Sequence, residues 1–349
     1  MIKDNIFKMP LSGKLEKLGV KENEKCASGL LPYFFNIINH SQINHKMKLS
    51  NFYSVLSLVL ILMLANSYIL FGQQSVNIGK QSWIHGSDPC SQNTDPGLQV
   101  VQYDRTTFII RQNKCVHYEA PFLYLLIGTD KALLMDTGAE AAESSFPLYE
   151  TVNKILSNLR GVDGKALPLT VIHSHSHDDH YGGDHQFLNK PRVRIISPTK
   201  DSLINFFDLK HWPETEVSFD LGHRELIIIP IPGHDESSVA IYDSQTKWLL
   251  TGDTIYPGRL YVRNWESFQS SISRLYSFSK EHEVSYLMGN HIEMTTAHGV
   301  DYPTGTTYQP HEHALALEPT VLKELHHACE KMGDHLVHQI HRDFILVPK

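Results

Sequence analysis

The most chemically distinctive segment of the chain is VIHSHSHDDHYGGDH, residues 171–185, which holds five histidines and three aspartates after an apolar run. Imidazole is the commonest metal ligand among the side chains. Side chains two residues apart on an extended chain lie on one face, so a His-x-His pair can bind a single ion. The register His175, His177, Asp179, His180 offers more ligands than one tetrahedral zinc that keeps a water can use. The segment therefore predicts two adjacent metal ions.

Three further candidate ligands each follow an apolar strand directly. They are His234 in PIPGHDESS, Asp253 in LLTGDT and His291 in LMGNHIE. Catalytic groups gather in loops at the ends of strands, where a rigid scaffold positions them. The whole set favours a metal centre, whereas a single histidine in a chain usually has a structural role.

Short apolar runs suited to strands surround these residues. The runs are LQVVQYD, TFIIRQ, FLYLLIG, KALLMDTG and PLTVIHS before the histidine segment, and RVRIIS, ELIIIPIP, SVAIYD, KWLLTGD, VSYLMGN and HRDFILVP after it. Apolar residues at helical spacing predict helices within 142–160, 264–280 and 318–332. Strands in runs with helices between them predict an α+β fold, in which helices cover two sheets of one domain over residues 97–349.

Residues 47–72 have the layout of an export signal. Met47 and Lys48 precede an uncharged, mostly apolar run that ends at Gly72. A signal peptide is expected, and an uncleaved membrane anchor is the alternative because the run is long enough to span a bilayer. In both cases the basic flank keeps the N-terminus inside and places the catalytic domain outside the cytoplasm, as a periplasmic, secreted or anchored protein. Residues 1–46 are expected to be an upstream or cytoplasmic extension, and residues 73–96 a linker.

The chain is acidic, with a formal net charge of −7, and the part after Gly72 is more acidic still because the preceding segment is basic. This balance argues against nucleic acid as the main partner. Cys90 and Cys115 lie close in sequence and would be able to pair in an oxidising compartment, leaving Cys329 free. Three unpaired buried thiols are an equal alternative, since sequence alone does not fix connectivity.

An ordered series of motifs resembles the metallo-β-lactamase superfamily. HSHDDH at 175–180 is similar to its His-x-His-x-Asp-His signature, and YGGDH, GH at 233–234, TGDT around Asp253, GNH ending at His291 and the upstream LLMDTGAE with Asp136 continue the match. The resemblance covers roughly residues 97–295 and is highly specific because the order of the motifs is preserved. It implies an αββα sandwich of two mixed β-sheets flanked by helices, with the metal site along one edge.

The resemblance also implies which residues bind the metals. The ligands would be His175, His177 and His234 for one ion and Asp179, His180 and His291 for the other, with Asp253 bridging both. A carboxylate has two oxygens and is able to span two ions, whereas an imidazole ordinarily is not. The expected cofactor is two Zn²⁺, with iron or manganese as alternatives. Asp179 would also orient the attacking oxygen and carry its proton, while Asp136 would fix a histidine tautomer.

Differences from known branches of the superfamily narrow the expected substrate. They favour an exported hydrolase of a small ester, thioester or lactone, which resembles glyoxalase II and the lactonases.

Tyr256 lies at the spacing of a substrate-facing catalytic tyrosine in those lactonases, or else it is a core or rim aromatic. Arg259 and Arg263 would clamp a substrate carboxylate, or else form a solvated face. Three alternatives stay open: a β-lactam hydrolase, a persulfide dioxygenase with one iron, and a non-catalytic binding domain. The sequence predicts a small-molecule substrate and leaves the oligomeric state undetermined.

Overall fold

The computed structural model describes residues 76–159 and 166–349. The extension predicted for residues 1–46 and the signal segment predicted for residues 47–72 lie outside these ranges, so both stay predictions. Within the described ranges, none of the helices combines the length and the apolar composition needed to cross a bilayer.

The first of two large sheets is formed by strands in their chain order. Its strands are β1 (Leu98–Gln102), β2 (Thr107–Gln112), β3 (Phe122–Ile127), β4 (Ala132–Met135), β5 (Leu169–Ile172) and β6 (Val193–Ile195). Strands β1 to β4 pair antiparallel, while β4, β5 and β6 pair parallel. The sheet is therefore mixed, as predicted.

The second large sheet is also mixed. Its strands are β7 (Val217–Asp220), β8 (Glu225–Pro230), β9 (Val239–Asp243), β10 (Trp248–Gly252), β12 (Tyr286–Gly289) and β13 (Ala316–Leu317), in the spatial order β13-β12-β10-β9-β8-β7. Strands β10 and β12 run parallel and the other neighbours antiparallel. A separate three-stranded sheet joins β11 (Arg259–Val262), β15 (Ile345–Pro348) and β14 (Gln339–Ile340); the sequence predicted β15 but not this sheet.

The α-helices of the described residues are α1 (Leu148–Ser157), α2 (Asp178–Tyr181), α3 (Lys200–Phe207), α4 (Trp265–Glu281) and α5 (Thr320–Met332). Helices α1, α4 and α5 cover the outer faces of the two large sheets, whereas Leu203 and Phe207 of α3 belong to the core between the sheets. Leu148 and Val152 of α1 pack against the first sheet, and Phe268 of α4 and Leu325 of α5 belong to the apolar layer outside the second sheet. The α+β prediction and the αββα layering are confirmed.

The sequence FLYLLI of β3 shows why the sheets lie inside the sandwich. Phe122 and Tyr124 belong to the core between the two sheets, while Leu123 and Leu125 belong to the layer under α1. All six side chains of the strand are buried. A strand that is covered on both faces needs an apolar residue at every position, so alternation disappears from its sequence.

The described part of the segment predicted as a linker is instead packed into the domain. The Trp83 side chain is buried, and its ring centroid lies 4.8 Å from that of Phe122. Cys90 forms a disulfide with Cys115, which settles the pairing that the sequence left open, and Cys329 is free and buried. The linker prediction is therefore wrong for residues 76–96, because an aromatic anchor and a covalent bond fix them to the first sheet.

Candidate metal centre

The predicted ligands meet at one edge of the sandwich because of how the strands end. Asp253 directly follows β10, and His291 comes two residues after β12, its parallel neighbour. His175 comes three residues after β5, which is parallel to β4. Parallel neighbours present their carboxyl ends at the same edge of a sheet, so Asp253 and His291 lie close together. His175 reaches them from the other sheet, with its Nε2 4.0 Å from Asp253 Oδ2.

A glycine fixes the loop that presents His234. Gly233 has a φ of +145°, and a Cβ atom there would lie 2.5 Å from Phe268 Cα in α4. Its carbonyl oxygen accepts hydrogen bonds from the backbone N–H groups of Arg263 and Asn264 at the start of α4, both at 3.0 Å. The close approach of this loop to the helix therefore requires glycine before the histidine.

Three histidine nitrogens converge in a first cluster. His177 Nδ1 lies 2.7 Å from His175 Nε2 and 3.1 Å from His234 Nε2. His175 and His234 are buried, and His177 is half-buried. Three imidazole nitrogens that face one point are the protein part of a tetrahedral zinc site that keeps one position open.

The second cluster combines histidines with carboxylates. Asp179 Oδ2 lies 3.2 Å from both His180 Nε2 and His291 Nε2. Asp253 Oδ1 lies 3.4 Å from His291 Nε2, and Asp253 Oδ2 lies 3.6 Å from His180 Nε2. In each cluster the donor atoms lie within 4.8 Å of one another, so each is compact enough to surround one ion.

Asp253 lies between the two clusters. Besides its contacts within the second cluster, its Oδ2 lies 4.0 Å from His175 Nε2 and 3.9 Å from His234 Nε2 of the first. Its Oδ1 is buried and has no hydrogen-bond partner. A buried carboxylate oxygen without a partner is costly, and a bound cation would remove that cost.

In His234 and His291 the nitrogen that points away from the clusters is held by a backbone acceptor, which fixes the tautomer; Nε2 of His177 has no such partner among the described residues. His234 Nδ1–H donates to the Tyr261 carbonyl at 2.8 Å, and His291 Nδ1–H donates to the Glu119 carbonyl at 3.1 Å. Donation from Nδ1 leaves the lone pair of Nε2 directed at the cluster. The donor set and its tautomers therefore fit two divalent ions bound by nitrogen and oxygen.

His180 is fixed in the same way by a carboxylate. Its Nδ1–H donates to Asp136 Oδ2 at 3.0 Å and lies 3.2 Å from Ser174 Oγ. Asp136 in turn accepts hydrogen bonds from the Ser174 backbone N–H at 2.6 Å and from Asn290 Nδ2 at 2.5 Å. Asp136 therefore occupies the tautomer-fixing position that the sequence motif predicted for it.

Burial and neighbouring charges give the histidines of the two clusters different pKa values. Burial, followed by the neighbouring His180, lowers the pKa of His175 well below its usual value, and burial also lowers the pKa of His234. Burial opposes protonation of His291 as well, but the Asp253 and Asp179 carboxylates outweigh it and raise the pKa of His291 to about 9. The first cluster is therefore neutral at pH 7, and in the second cluster a cation would take the place of a proton between histidines and carboxylates.

Both clusters lie at the floor of a pocket of about 350 Å³. Asp179, Asp253, His177, His234 and His291 contribute to its lining. Asp179 is buried and touches His180 and His291 through Oδ2. A substrate in this pocket would therefore lie directly over the candidate metal ligands.

The model of the metallo-β-lactamase superfamily matches residues 120–285, which contain six of the seven predicted ligands; His291 lies six residues beyond. Residues 120–285 form a metallo-β-lactamase superfamily domain.

The chain spans about half the length of the curated relatives it matches. The bovine acyl-coenzyme A thioesterase MBLAC2 is 26% identical over 170 residues, which are 40% of this chain and 59% of that protein. A hydroxyacylglutathione hydrolase of Ectopseudomonas mendocina is 29% identical over 116 residues, 30% of this chain and 41% of that protein. A solved metallo-β-lactamase from Pontibacter korlensis is 17% identical with a TM-score of 0.44, covering 67% of this chain and 99% of its own.

Tyr256 of the metallo-β-lactamase domain lines the pocket but is almost fully buried. Only 1% of it is exposed, and its hydroxyl donates to the Arg259 carbonyl at 2.5 Å and contacts Glu293 Oε2 at 3.1 Å. Burial, followed by Glu293, raises the pKa of Tyr256 well above its usual value. The hydroxyl is therefore occupied by neighbours within the fold, and the catalytic role of Tyr256 stays a prediction.

The two arginines after Tyr256 differ in whether their guanidinium groups are free to bind a substrate. Arg259 is held by Glu293 at 2.8 Å and by Asp301 at 2.5 Å, so its guanidinium has little capacity left for a substrate. Arg263 is exposed and lines the pocket beside His177. Its positive charge is, after burial, the next cause that lowers the pKa of His177.

Sequence reasoning missed several residues that shape the metallo-β-lactamase domain's site. Ser174 lies between His175 and His180, and Asn290 binds Asp136. Both adjoin predicted ligands in sequence, so their positions within the motifs were the available signal. Lys114 and Gln309 also line the pocket, and nothing in the sequence near them indicates a site.

Proposed function

We propose that this chain is a metal-dependent hydrolase that binds two Zn²⁺ ions and cleaves a small ester, thioester or lactone. The observation that carries the proposal is the pair of donor clusters on either side of Asp253, at the floor of one pocket. One cluster offers three neutral nitrogens and the other offers two histidines and two carboxylates. This separation of donors suits two adjacent ions.

The chain's own residues would bind the ions and transfer the proton of the attacking water. His175, His177 and His234 would hold one ion, Asp179, His180 and His291 the other, and Asp253 would contact both. When bound, the ions would supply Lewis-acid polarisation of an acyl carbonyl and an acidified water at neutral pH. Asp179 lines the pocket at the level of His291, where it would orient that water and pass its proton to the leaving group.

Among the candidate substrates, thioesters have the strongest support. The bovine relative is named an acyl-coenzyme A thioesterase and the bacterial relatives hydroxyacylglutathione hydrolases, so both kinds act on acyl groups carried by a thiol. The alignments cover only part of those proteins. The thioester therefore ranks first in the proposal, ahead of an ester, a lactone or a β-lactam.

Metal quantification together with a hydrolysis panel tests the proposal. About two zinc per chain and chelator-sensitive turnover of a thioester are the expected results. His175→Ala should lose metal and activity, whereas the matched variant His185→Ala should keep both, because His185 is exposed and outside both clusters. One iron per chain with oxygen-dependent turnover of a persulfide would replace the hydrolase with an oxidative enzyme.

We also propose that the domain is exported, with residues 47–72 as the signal. The Cys90–Cys115 disulfide supports this, because such bonds persist mainly in oxidising compartments. Expression of the full chain followed by mass measurement of the processed protein tests both parts. A mature protein outside the cytoplasm that starts soon after Gly72 is expected; an unprocessed chain in the membrane fraction would support an anchor, and an unprocessed cytoplasmic chain would contradict export.

A further inference from the structure

A buried lysine in the pocket wall lacks a countercharge. Lys114 follows β2 in the loop that leads to β3, is 3% exposed and lines the pocket. Its Nζ donates one hydrogen bond, to the Tyr118 carbonyl at 2.9 Å, and no ion pair among the described residues includes it. An ammonium group has three donors. Two donors of Lys114 therefore have no acceptor in the described part of the chain.

The acidic side chains around Lys114 already have other partners. Glu312 binds the Arg111 guanidinium through both of its oxygens at 2.5 Å. Glu293 binds Arg259 at 2.8 Å. Glu119 accepts a hydrogen bond from the Tyr118 hydroxyl at 3.0 Å and lies 3.6 Å from His117. The Lys114 ammonium is thus a buried cation of the pocket wall without an ion-pair partner among the described residues, whereas Arg263 and Lys349, which also line the pocket, are exposed.

An unpartnered amide lines the same pocket. Gln309 is 4% exposed, and its Oε1 is buried without a hydrogen-bond partner. The loop that carries it meets the Lys114 loop at Gly86, where an added Cβ would lie 3.0 Å from Lys114 Cβ and would overlap the Thr307 carbonyl oxygen. Lys114 and Thr307, two residues before Gln309, therefore both lie against Gly86, and Lys114 and Gln309 line the same pocket.

The Lys114 loop also reaches the candidate metal centre. Five residues after Lys114, the Glu119 carbonyl accepts the Nδ1–H of His291, a predicted ligand. The disulfide at Cys115 and the Asn113 side chain, which donates to the Pro96 carbonyl at 2.9 Å, fix the start of this loop. One molecule in the pocket would therefore be able to contact both His291 and Lys114.

We propose that Lys114 and Gln309 form a subsite for an anionic oxygen group, a carboxylate or a phosphate, on the substrate of the proposed hydrolase. The proposal rests on the proposed function. A buried ammonium with two free donors would bind an anionic oxygen through charge-assisted hydrogen bonds. The Nε2–H groups of Gln309 would donate a neutral hydrogen bond to the same anion, while its Oε1 is an acceptor that would suit the Lys114 ammonium and not the anion. The preferred substrate is then an acyl compound that carries a negative charge away from the reacting carbonyl.

Four thioesters test the subsite. S-acetylthioglycolate carries a carboxylate on the thiol, S-acetyl-2-mercaptoethyl phosphate carries a phosphate there, and the succinyl thioester of 2-mercaptoethanol carries a carboxylate on the acyl group. S-acetylthioglycolamide is the neutral reference. Lys114→Met should raise the KM of at least one anionic probe about 10-fold or more relative to the neutral probe. Gln309→Leu should shift the same probe in the same direction by a smaller factor.

Lys323→Met is the matched control, because Lys323 is exposed on α5, outside the pocket. This variant should leave the KM values of the anionic probes and of the neutral probe unchanged. The probe that responds to Lys114→Met identifies the preferred anion and the side of the thioester that carries it. An equal rise in KM for the anionic and neutral probes, in a variant at least as stable as the parent chain, would overturn the subsite and leave Lys114 a structural residue.

A non-hydrolysable ligand separates failure of the subsite from failure of the hydrolase. The thioether ketone S-(2-oxopropyl)thioglycolate and its amide are titrated calorimetrically into the metal-loaded chain and into Lys114→Met, together with the corresponding phosphate and succinyl ketones. Tighter binding of an anionic ketone that depends on Lys114, without turnover of any thioester, would support the subsite and contradict the hydrolase. Turnover of a thioester, with binding of the anionic ketones unaffected by Lys114→Met, would support the hydrolase and contradict the subsite.

Discussion

Asp136 and His180, both fully buried, are joined by a hydrogen bond of 3.0 Å between Oδ2 and Nδ1. The carboxylate is a shared acceptor, since Ser174 and Asn290 bind it as well. The contact directs His180 Nε2 towards Asp179 and Asp253. The orientation of one candidate ligand thus depends on a residue from a different strand end, 44 positions upstream.

Asp136→Asn should weaken metal binding in the second cluster. Asn keeps the size of the side chain and tolerates the positive φ of 68° at this position, but it removes the negative charge that supports His180. The zinc affinity of this cluster should fall by about 10- to 100-fold, measured by competition with a chromogenic chelator. Asp334→Ala, at an exposed position, is the control. Unchanged affinity for both ions would show that Asp136 is only a packing residue.

Asp179→Asn should reduce turnover more than metal content. Asn keeps an oxygen near His180 and His291 but is unable to carry a proton. Loss of a general base typically lowers kcat by about 100- to 10,000-fold. Steady-state kinetics on a thioester and zinc quantification of the same sample measure both effects. A loss of activity no greater than the loss of the second ion would make Asp179 a ligand without a proton-carrying role.

The sequence predicted the metal centre more completely than the rest of the pocket, and the reason is physical. His175 to His180 lie in one local segment, and Asp253 and His291 directly follow apolar strands, so their positions depend on short-range patterns that a sequence displays. Lys114 and Gln309 line the same pocket from loops that are distant in sequence, and no local pattern marks either of them. The third sheet likewise pairs Arg259 with Ile345, and no local periodicity encodes such a pairing.

Tyr256 and Trp83 illustrate the same difference. The spacing of Tyr256 from Asp253 suggested a substrate contact, but spacing does not reveal that Glu293 and the Arg259 carbonyl occupy its hydroxyl. Trp83 lies in a polar segment that looks like a linker, yet its ring packs on Phe122. In both cases a non-local contact fixes the position of an aromatic side chain.

Removing the disulfide should destabilise the domain and weaken binding of the anionic substrate together. Cys90 and Cys115 are 25 residues apart, and closing a loop of this length in the unfolded chain is worth about 3 kcal/mol. Cys90→Ser should lower the free energy of unfolding by about that amount in urea titrations. Because Cys115 adjoins Lys114, the KM of the responding anionic probe should also rise. Ser91→Ala, at the exposed position next to Cys90, leaves the disulfide intact and is the control for both measurements.

The KM of an anionic substrate should depend on pH through Lys114. Burial, followed by the Arg111 guanidinium, lowers the pKa of Lys114 to about 7, against the opposing effects of Glu312, Glu293 and Glu119. Below that pH the ammonium is charged and binds the anion; above it the free protein increasingly carries a neutral amine. The ratio of the KM of the responding anionic probe to the KM of S-acetylthioglycolamide should therefore be constant below pH 7. It should rise between pH 7 and 9 in the parent chain.

Dividing the KM of the anionic probe by the KM of the neutral probe removes the pH dependence that comes from titration of the metal centre, because that titration affects both probes equally. In Lys114→Met the ratio should be high and independent of pH. The same variant should raise the free energy of unfolding at pH 6 by about 1 kcal/mol or more, because a buried charge without a partner is removed. That gain should shrink as the pH rises above 7, since the parent chain then holds a neutral amine while unfolded lysine stays protonated up to its ordinary pKa. A ratio that rises equally in both proteins would assign the pH dependence to a different group.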